Sequence, residues 1–154
     1  MVRTPRLSER AQAAAIAAEC ACFHLRKATR TVTQLYDRVL RPTGLRITQF
    51  TLLTLVGGFG TVSVTSLAKA AVMDHTTLVR NLHLLERAGL VRRRPGRDRR
   101  ERQIVLTQRG HQRLAPARRL WADAQAVVAG QLGRERLGRL LADLTATVDA
   151  VADS

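Results

Sequence analysis

The feature that most constrains this chain is a basic segment, Arg92–Arg102, in which seven of eleven residues are arginine. The stretches beside its tip, Leu90–Arg94 and Arg102–Leu106, have strand character and predict a β-hairpin. So many arginines are too dense for a hairpin that contacts only solvent. The whole chain carries 26 Lys and Arg against 12 Asp and Glu, a formal net charge of +14. This charge indicates a polyanionic partner, most simply nucleic acid.

Two short helices are predicted immediately before the hairpin. They span about Ser66–Val72 and His75–Ala88. Asp74 is suited to cap the second helix, and Gly89 is suited to end it. The inner face of the second helix is apolar and consists of Leu78, Leu82 and Leu85. Its outer face offers short polar groups and one arginine to base edges in the major groove, from His75, Thr76, Thr77, Arg80 and Asn81.

Helix, turn, helix and charged hairpin together predict a mainly α protein with a winged helix-turn-helix and a two-stranded β wing. In that fold the second helix enters the major groove of double-stranded DNA. The wing reaches phosphates or the minor groove, where negative potential is concentrated. The wing residues expected to contact DNA are Arg94, Arg97, Arg99 and Arg100.

Long helices are predicted on both sides of this lobe. The first runs from about Ser8 to Leu40, and a second helix at Thr48–Val56 is followed by a loop at Gly57–Gly60. After the hairpin, Thr107 is suited to cap a helix to about Gln131, and Gly133 separates it from the last helix. The last helix has an apolar stripe at Leu137, Leu140, Leu141, Leu144, Val148 and Val151.

The first and last helices carry more apolar surface than a small winged-helix core needs. This surplus predicts a homodimer in which the terminal helices pack against a second subunit. We therefore expect an N-terminal dimerisation helix in residues 1–47 and a DNA-binding lobe in residues 48–107. Residues 108–154 are expected to form the C-terminal dimerisation helices.

Other classes of protein find little support. No apolar run approaches the roughly 18 residues that span a bilayer, and the Ala-rich run before Cys20 lacks the apolar centre of a signal peptide. A cytoplasmic protein without membrane contact is expected. Cys20 and His24 share a helix face but lack further ligands for a metal site. No phosphate loop or nucleophile elbow indicates an enzyme, and no cofactor is expected.

The segment Asp98–Gly110 resembles the wing signature of the MarR family, and Leu85–Val91 is similar to the end of that family's recognition helix. The resemblance implies a dimeric bacterial transcription regulator with interlocked terminal helices. It implies that Arg100 enters the minor groove, and a charge-assisted hydrogen bond from Arg100 to Asp98 would orient it there. It also implies a pocket for a small aromatic or phenolic effector. Repression at a pseudo-palindromic operator is the expected output.

Cys22 and its neighbours are similar to the branch of this family that senses organic hydroperoxides. That branch places tyrosines near an oxidisable cysteine, and Tyr36 matches one of them, while Arg26 and Ile47 stand at the other two positions. The alternative is that Cys22 is a small apolar residue of the dimer interface. A third alternative, from another class, is an architectural protein that binds DNA without sequence preference.

Overall fold

The computed structural model describes residues 7–96 and 102–151, which form seven α-helices and three strands. In chain order the elements are α1 Leu7–Glu19, α2 Ala21–Leu40, a short 3₁₀ helix Arg41–Thr43, α3 Ile47–Phe59, β1 Val62–Ser63, α4 Val64–Ala71, α5 His75–Arg87, β2 Val91–Pro95, β3 Arg102–Leu106, α6 Gln108–Leu132 and α7 Arg134–Val151. The chain divides into two compact units, Met1–Leu35 and Tyr36–Ser154.

The first unit corrects the expectation of one unbroken helix over residues 8–40, because the helix is interrupted at Cys20. The Cys20 Sγ accepts the backbone N–H of Phe23 at 3.4 Å, as an N-cap side chain does. His24 Nε2 hydrogen-bonds the Ala18 carbonyl at 3.0 Å near the end of α1. Local side-chain bonds of this kind compete with helix continuation, and no glycine or proline marks the interruption in the sequence.

The second unit confirms the prediction of a mainly α winged helix-turn-helix. Its core is formed where α3, α4 and α5 meet the sheet and the start of α6. The inner residues of α5 are fully buried there, as the apolar spacing predicted. The largest fully buried side chains of the core are Leu40, Leu52, Leu53, Val56, Leu67, Leu78, Leu82, Leu85, Ile104 and Leu114.

The wing belongs to a sheet with a third, very short strand that adds to the predicted pair. The strands are antiparallel in the order β1-β3-β2, so β2 lies at one edge of the sheet. The register places Val91 opposite Leu106 and Arg93 opposite Ile104. Because successive side chains alternate between faces, Val91 and Arg93 share one face of β2, and Arg92 and Arg94 share the other.

The loop expected at Gly57–Gly60 is wrong, because α3 continues to Phe59. A Cβ at Gly57 would lie 3.1 Å from Leu106 Cδ1, so this glycine lets α3 pack closely on the sheet. The helix ends only at Gly60, whose φ is 70°. Tertiary packing therefore outweighs the low helix propensity of the two glycines.

The turn between α4 and α5 contains a strained residue. Val72 ends α4 with φ 49° and ψ 47°, in the left-handed region that β-branched residues avoid. Its backbone N–H reaches the carbonyls of Ala68 and Lys69, and Asp74 then caps α5 as predicted. These hydrogen bonds and the cap form the turn between the two helices of the motif.

The first turn of α6 lies directly on the chain that enters β2. Thr107 caps α6 as predicted and accepts the Gly110 N–H at 3.0 Å. Its hydroxyl also lies 2.6 Å from the Gly89 carbonyl oxygen, and its N–H donates to the Leu90 carbonyl at 3.0 Å. A Cβ at Gly110 would lie 2.1 Å from the Leu90 oxygen, so only glycine fits there.

Candidate nucleic-acid interface

The N-terminus of α5 is fixed by its cap. The Asp74 carboxylate accepts the Thr77 N–H at 2.8 Å. Hydrogen bonds from Thr77, first from its side chain and then from its backbone, lower the pKa of Asp74 below its usual range. The carboxylate is therefore ionised at neutral pH, and its negative charge interacts favourably with the positive end of the helix dipole.

The outer face of α5 is available to a partner. His75, Thr76 and Arg80 are exposed, while Thr77 and Asn81 are half-buried. The Asn81 side chain donates to the Thr77 carbonyl at 2.9 Å, which occupies one of its amide hydrogens. The structure therefore places all five predicted groove-facing residues on one helix, and three of them are exposed.

The wing is described only in part. Arg94 is exposed on β2 with Arg92, on the face opposite Arg93. The predicted DNA contacts at Arg97, Arg99 and Arg100 lie outside the described residues, as does the predicted Asp98–Arg100 salt bridge. These four positions stay predictions.

Sequence reasoning missed one ion pair between α5 and β2. Arg93 Nε donates to Glu86 Oε1 at 2.9 Å, with side chains 32% and 25% exposed respectively. The two residues are seven apart and lie on different elements. The available signal was Glu86 itself, since it is the single acidic residue of α5.

The candidate redox residues have different surroundings. Cys22 lies in the first unit and is exposed. Tyr36 lies in the second unit, where it is buried and its hydroxyl donates to Gln125 Oε1. Burial raises the pKa of Tyr36, so it is protonated at neutral pH.

Within residues 7–96 and 102–151, no group of three or more His, Cys, Asp or Glu side chains could hold a metal ion. None of the helices there is both long and apolar enough to cross a bilayer.

A basic cavity of about 780 Å³ lies beside the 3₁₀ helix and α6. Arg109, Arg113 and Arg119 line it together with apolar surface from Pro42, Pro116 and Leu120. Arg113 is already engaged, because its Nη1 donates to the Thr43 carbonyl at 2.5 Å. The cavity can accept a small molecule that combines an apolar body with an anionic group.

Comparison with known proteins gives a consistent result. The MarR family profile matches residues 43–101. The Mycobacterium tuberculosis transcriptional regulator MosR, in a complex with DNA, is 40% identical with a TM-score of 0.76 over 86% of this chain and 98% of that chain. No curated protein matches the chain.

Two further solved structures are similar in fold. The transcriptional repressor CouR, bound to a 23-mer DNA duplex, is 27% identical with a TM-score of 0.79 over 86% of this chain and 95% of that chain. A mutant MarR from E. coli, complexed with operator DNA, is 20% identical with a TM-score of 0.79 over 86% and 97% of the two chains. At that identity, the similarity to MarR concerns the fold alone.

Proposed function

Because this chain belongs to the MarR family of transcriptional regulators, we propose that it is a homodimeric repressor that binds a pseudo-palindromic operator in the bacterial cytoplasm. A small-molecule effector releases it from DNA. The observation that carries the proposal is the exposed polar face of α5 beside an arginine-rich strand, on a chain of net charge +14. A regulator of this kind has no catalytic role.

The two recognition helices of a dimer must lie about 34 Å apart to enter successive major grooves. Each α5 then presents Arg80, Thr76 and Thr77 to base edges, and His75 and Asn81 support them from the same face. The wing arginines contact phosphates or the minor groove. Specificity therefore comes mainly from α5, and salt-dependent affinity mainly from the wing.

Binding-site selection followed by anisotropy titrations tests this division. Arg80→Ala should reduce affinity for the selected operator by about 1–3 kcal/mol and relax base preference at one position of each half-site. Arg118→Ala removes the same charge from an exposed position of α6 and serves as the matched control. Arg97→Ala should weaken binding to all sequences and flatten the salt dependence.

Equal losses on operator and random DNA for Arg80→Ala would contradict the assignment. Failure of wild-type protein to select any sequence would favour the architectural alternative. Both outcomes are visible in the same titrations.

The homodimer is supported by apolar side chains that the single chain leaves open. In α7 the stripe of Leu140, Leu141, Leu144, Val148 and Val151 is exposed, and in the first unit Leu25 and Val32 are exposed. We propose that residues 1–47 and 108–154 supply the dimerisation helices, and residues 48–107 the DNA-binding lobe. A second copy of the chain then covers these stripes.

Sedimentation of two charge variants tests the dimer. Leu144→Asp places a charge in the apolar stripe, where it is strongly unfavourable without a partner. Ala146→Asp is the matched control, because it lies about 200° around α7 from Leu144. Dissociation of the first variant alone is expected. A Leu144→Asp protein that is dimeric and competent for operator binding would refute the proposal.

The cavity beside α6 supports the effector. A small aromatic or phenolic acid would place its anionic group near Arg119 and its ring against Leu120 and the prolines. Trp121, the only tryptophan, follows Leu120 and stacks on Phe50 with ring centroids 6.3 Å apart. Benzoate and 2-hydroxybenzoate should change its fluorescence and release operator DNA, whereas Arg119→Ala should respond only at higher ligand concentration.

The exposure of Cys22 supports a second trigger, a thiol switch. Its thiolate would take one oxygen atom from an organic hydroperoxide, which leaves as the alcohol, and become a sulfenic acid. Hydroperoxide should then release operator DNA from wild type and from Cys20→Ser, but not from Cys22→Ser, and added thiol should restore binding. If wild-type binding is indifferent to hydroperoxide, the cavity is the leading site of control.

A further inference from the structure

The recognition helix contains one carboxylate, Glu86, in a protein that carries a large excess of positive charge. A carboxylate beside DNA is repelled by the phosphates, so its position calls for a compensating interaction. Glu86 has one in Arg93, whose Nε lies 2.9 Å from Glu86 Oε1. The pair lies at the surface, where Arg93 is exposed and Glu86 half-buried, so solvent partly screens the attraction between them.

The Glu86–Arg93 ion pair spans the turn at which the chain reverses direction between α5 and β2. Backbone hydrogen bonds from Gly89 to Glu86 and from Leu90 to Leu85, both at 2.9 Å, form the turn itself. Arg93 lies at the centre of β2, opposite the fully buried Ile104. The ion pair therefore joins the end of the recognition helix to the strand that carries the wing.

We infer that Glu86 is a specificity-determining positioning residue that holds Arg93, and with it the wing, against the recognition helix and away from DNA phosphates. The inference rests on the proposed function. Arg93 differs in this role from Arg92 and Arg94, which lie on the opposite face of β2. Arg93 thus has a positioning role in the basic segment, whereas Arg92 and Arg94 can contact the nucleic acid.

Two consequences follow when the carboxylate loses its charge in Glu86→Gln. The wing is no longer held at one angle to α5. Operator binding, which requires α5 and the wing to contact the same DNA at once, therefore weakens. Arg93 also loses its charged partner and keeps at most a neutral hydrogen bond to the glutamine oxygen, so its charge is available to neutralise a phosphate of any sequence. Affinity for random DNA should therefore rise while affinity for the operator falls or stays level.

Salt titration measures the released arginine directly. One additional phosphate contact steepens the slope of log K against log salt by about 0.9. For Glu86→Gln on random DNA, the loss of affinity between 50 and 200 mM salt should grow about 3.5-fold relative to wild type. A purely structural ion pair would change affinity for both DNAs alike and leave this slope unchanged.

Two further variants complete the experiment. Glu86→Gln with Arg93→Gln removes both charges, so random-DNA affinity and slope should return to wild-type values or below while operator preference stays reduced. Glu86→Asp keeps the charge but shortens the reach, so it should reduce operator preference by the loss of wing position. Thermal unfolding by circular dichroism identifies any variant that fails to fold.

The result expected is a reduced operator-to-random ratio in all three variants, with a steeper slope of log K against log salt in Glu86→Gln alone. An unchanged ratio and slope in that variant, with wild type selecting its operator normally, would overturn the inference and leave the proposed function intact. Absence of operator selection by wild type would instead refute the proposed function.

Discussion

The contact between the first turn of α6 and the Leu90 carbonyl predicts that Gly110 tolerates no side chain. A Cβ at Gly110 would lie 2.1 Å from the Leu90 oxygen and 3.1 Å from its carbonyl carbon. Ordinary carbon–oxygen contacts are about 3.3 Å, so Gly110→Ala requires a shift of roughly 1 Å. Both atoms belong to the backbone, and no change of rotamer relieves the clash.

The shift would break interactions that hold α6 to the wing. The Leu90 carbonyl accepts the Thr107 N–H at 3.0 Å, and Thr107 caps the Gly110 N–H at the same distance. A lost backbone hydrogen bond and a lost cap each cost about 1 kcal/mol, and overpacking adds about 1–3 kcal/mol. The higher helix propensity of alanine over glycine offsets about 1 kcal/mol of this loss. We expect a net destabilisation of about 2–4 kcal/mol.

Urea unfolding followed by helical circular dichroism measures this change, at one fixed protein concentration, because the unfolding midpoint of any self-associating protein depends on concentration. Gly58→Ala is the matched control, since Gly58 is an exposed residue of α3 with nothing within 4 Å of its added Cβ. The control should be neutral or slightly stabilised. A Gly110→Ala protein as stable as Gly58→Ala would refute the reasoning about this contact.

Three further predictions concern stability. Hydrogen bonds from Thr77 lower the pKa of Asp74 in the folded state. The contribution of the ionised carboxylate to folding stability is therefore complete above the ordinary Asp pKa near 3.9, and it is lost as pH falls through the lower folded value. In urea titrations below about pH 4, wild type should lose stability relative to Asp74→Asn. Val72→Gly should stabilise the protein by about 0.5–1 kcal/mol, because glycine relieves the left-handed strain of a side chain that is 70% exposed, and a lowered melting temperature would contradict this. Tyr36→Phe should cost about 1 kcal/mol in the same unfolding assay by leaving Gln125 Oε1 without its donor, and no change would show that the hydrogen bond contributes nothing net.

The parts of the fold that depend on local chemistry were predictable from sequence. Asp74, Gly89, Thr107 and Gly133 end or begin helices where their side chains or backbone freedom indicate. The Gly57–Gly60 loop was wrong because the reason for helix there is packing on Leu106, which lies far away in sequence.

Interactions across a turn also escaped prediction. The apolar periodicity of residues 8–40 does not indicate that the Cys20 thiol caps a new helix, so the interruption of the helix at Cys20 was missed. The buried and exposed faces of α5 followed from periodicity, because 3.6 residues per turn fix which residues share a face. The pairing of Glu86 with Arg93 did not, because it depends on how a strand returns past the helix.

The edge position of β2 has a consequence for solubility. An exposed strand edge is a template on which other chains can add strands and aggregate, and charged residues and proline on that edge oppose such growth. Arg92, Arg94 and Pro95 occupy it here. The charges of these arginines therefore oppose strand addition at this edge. Variants that place threonine or valine in β2 are therefore expected to aggregate more readily than the wild-type protein.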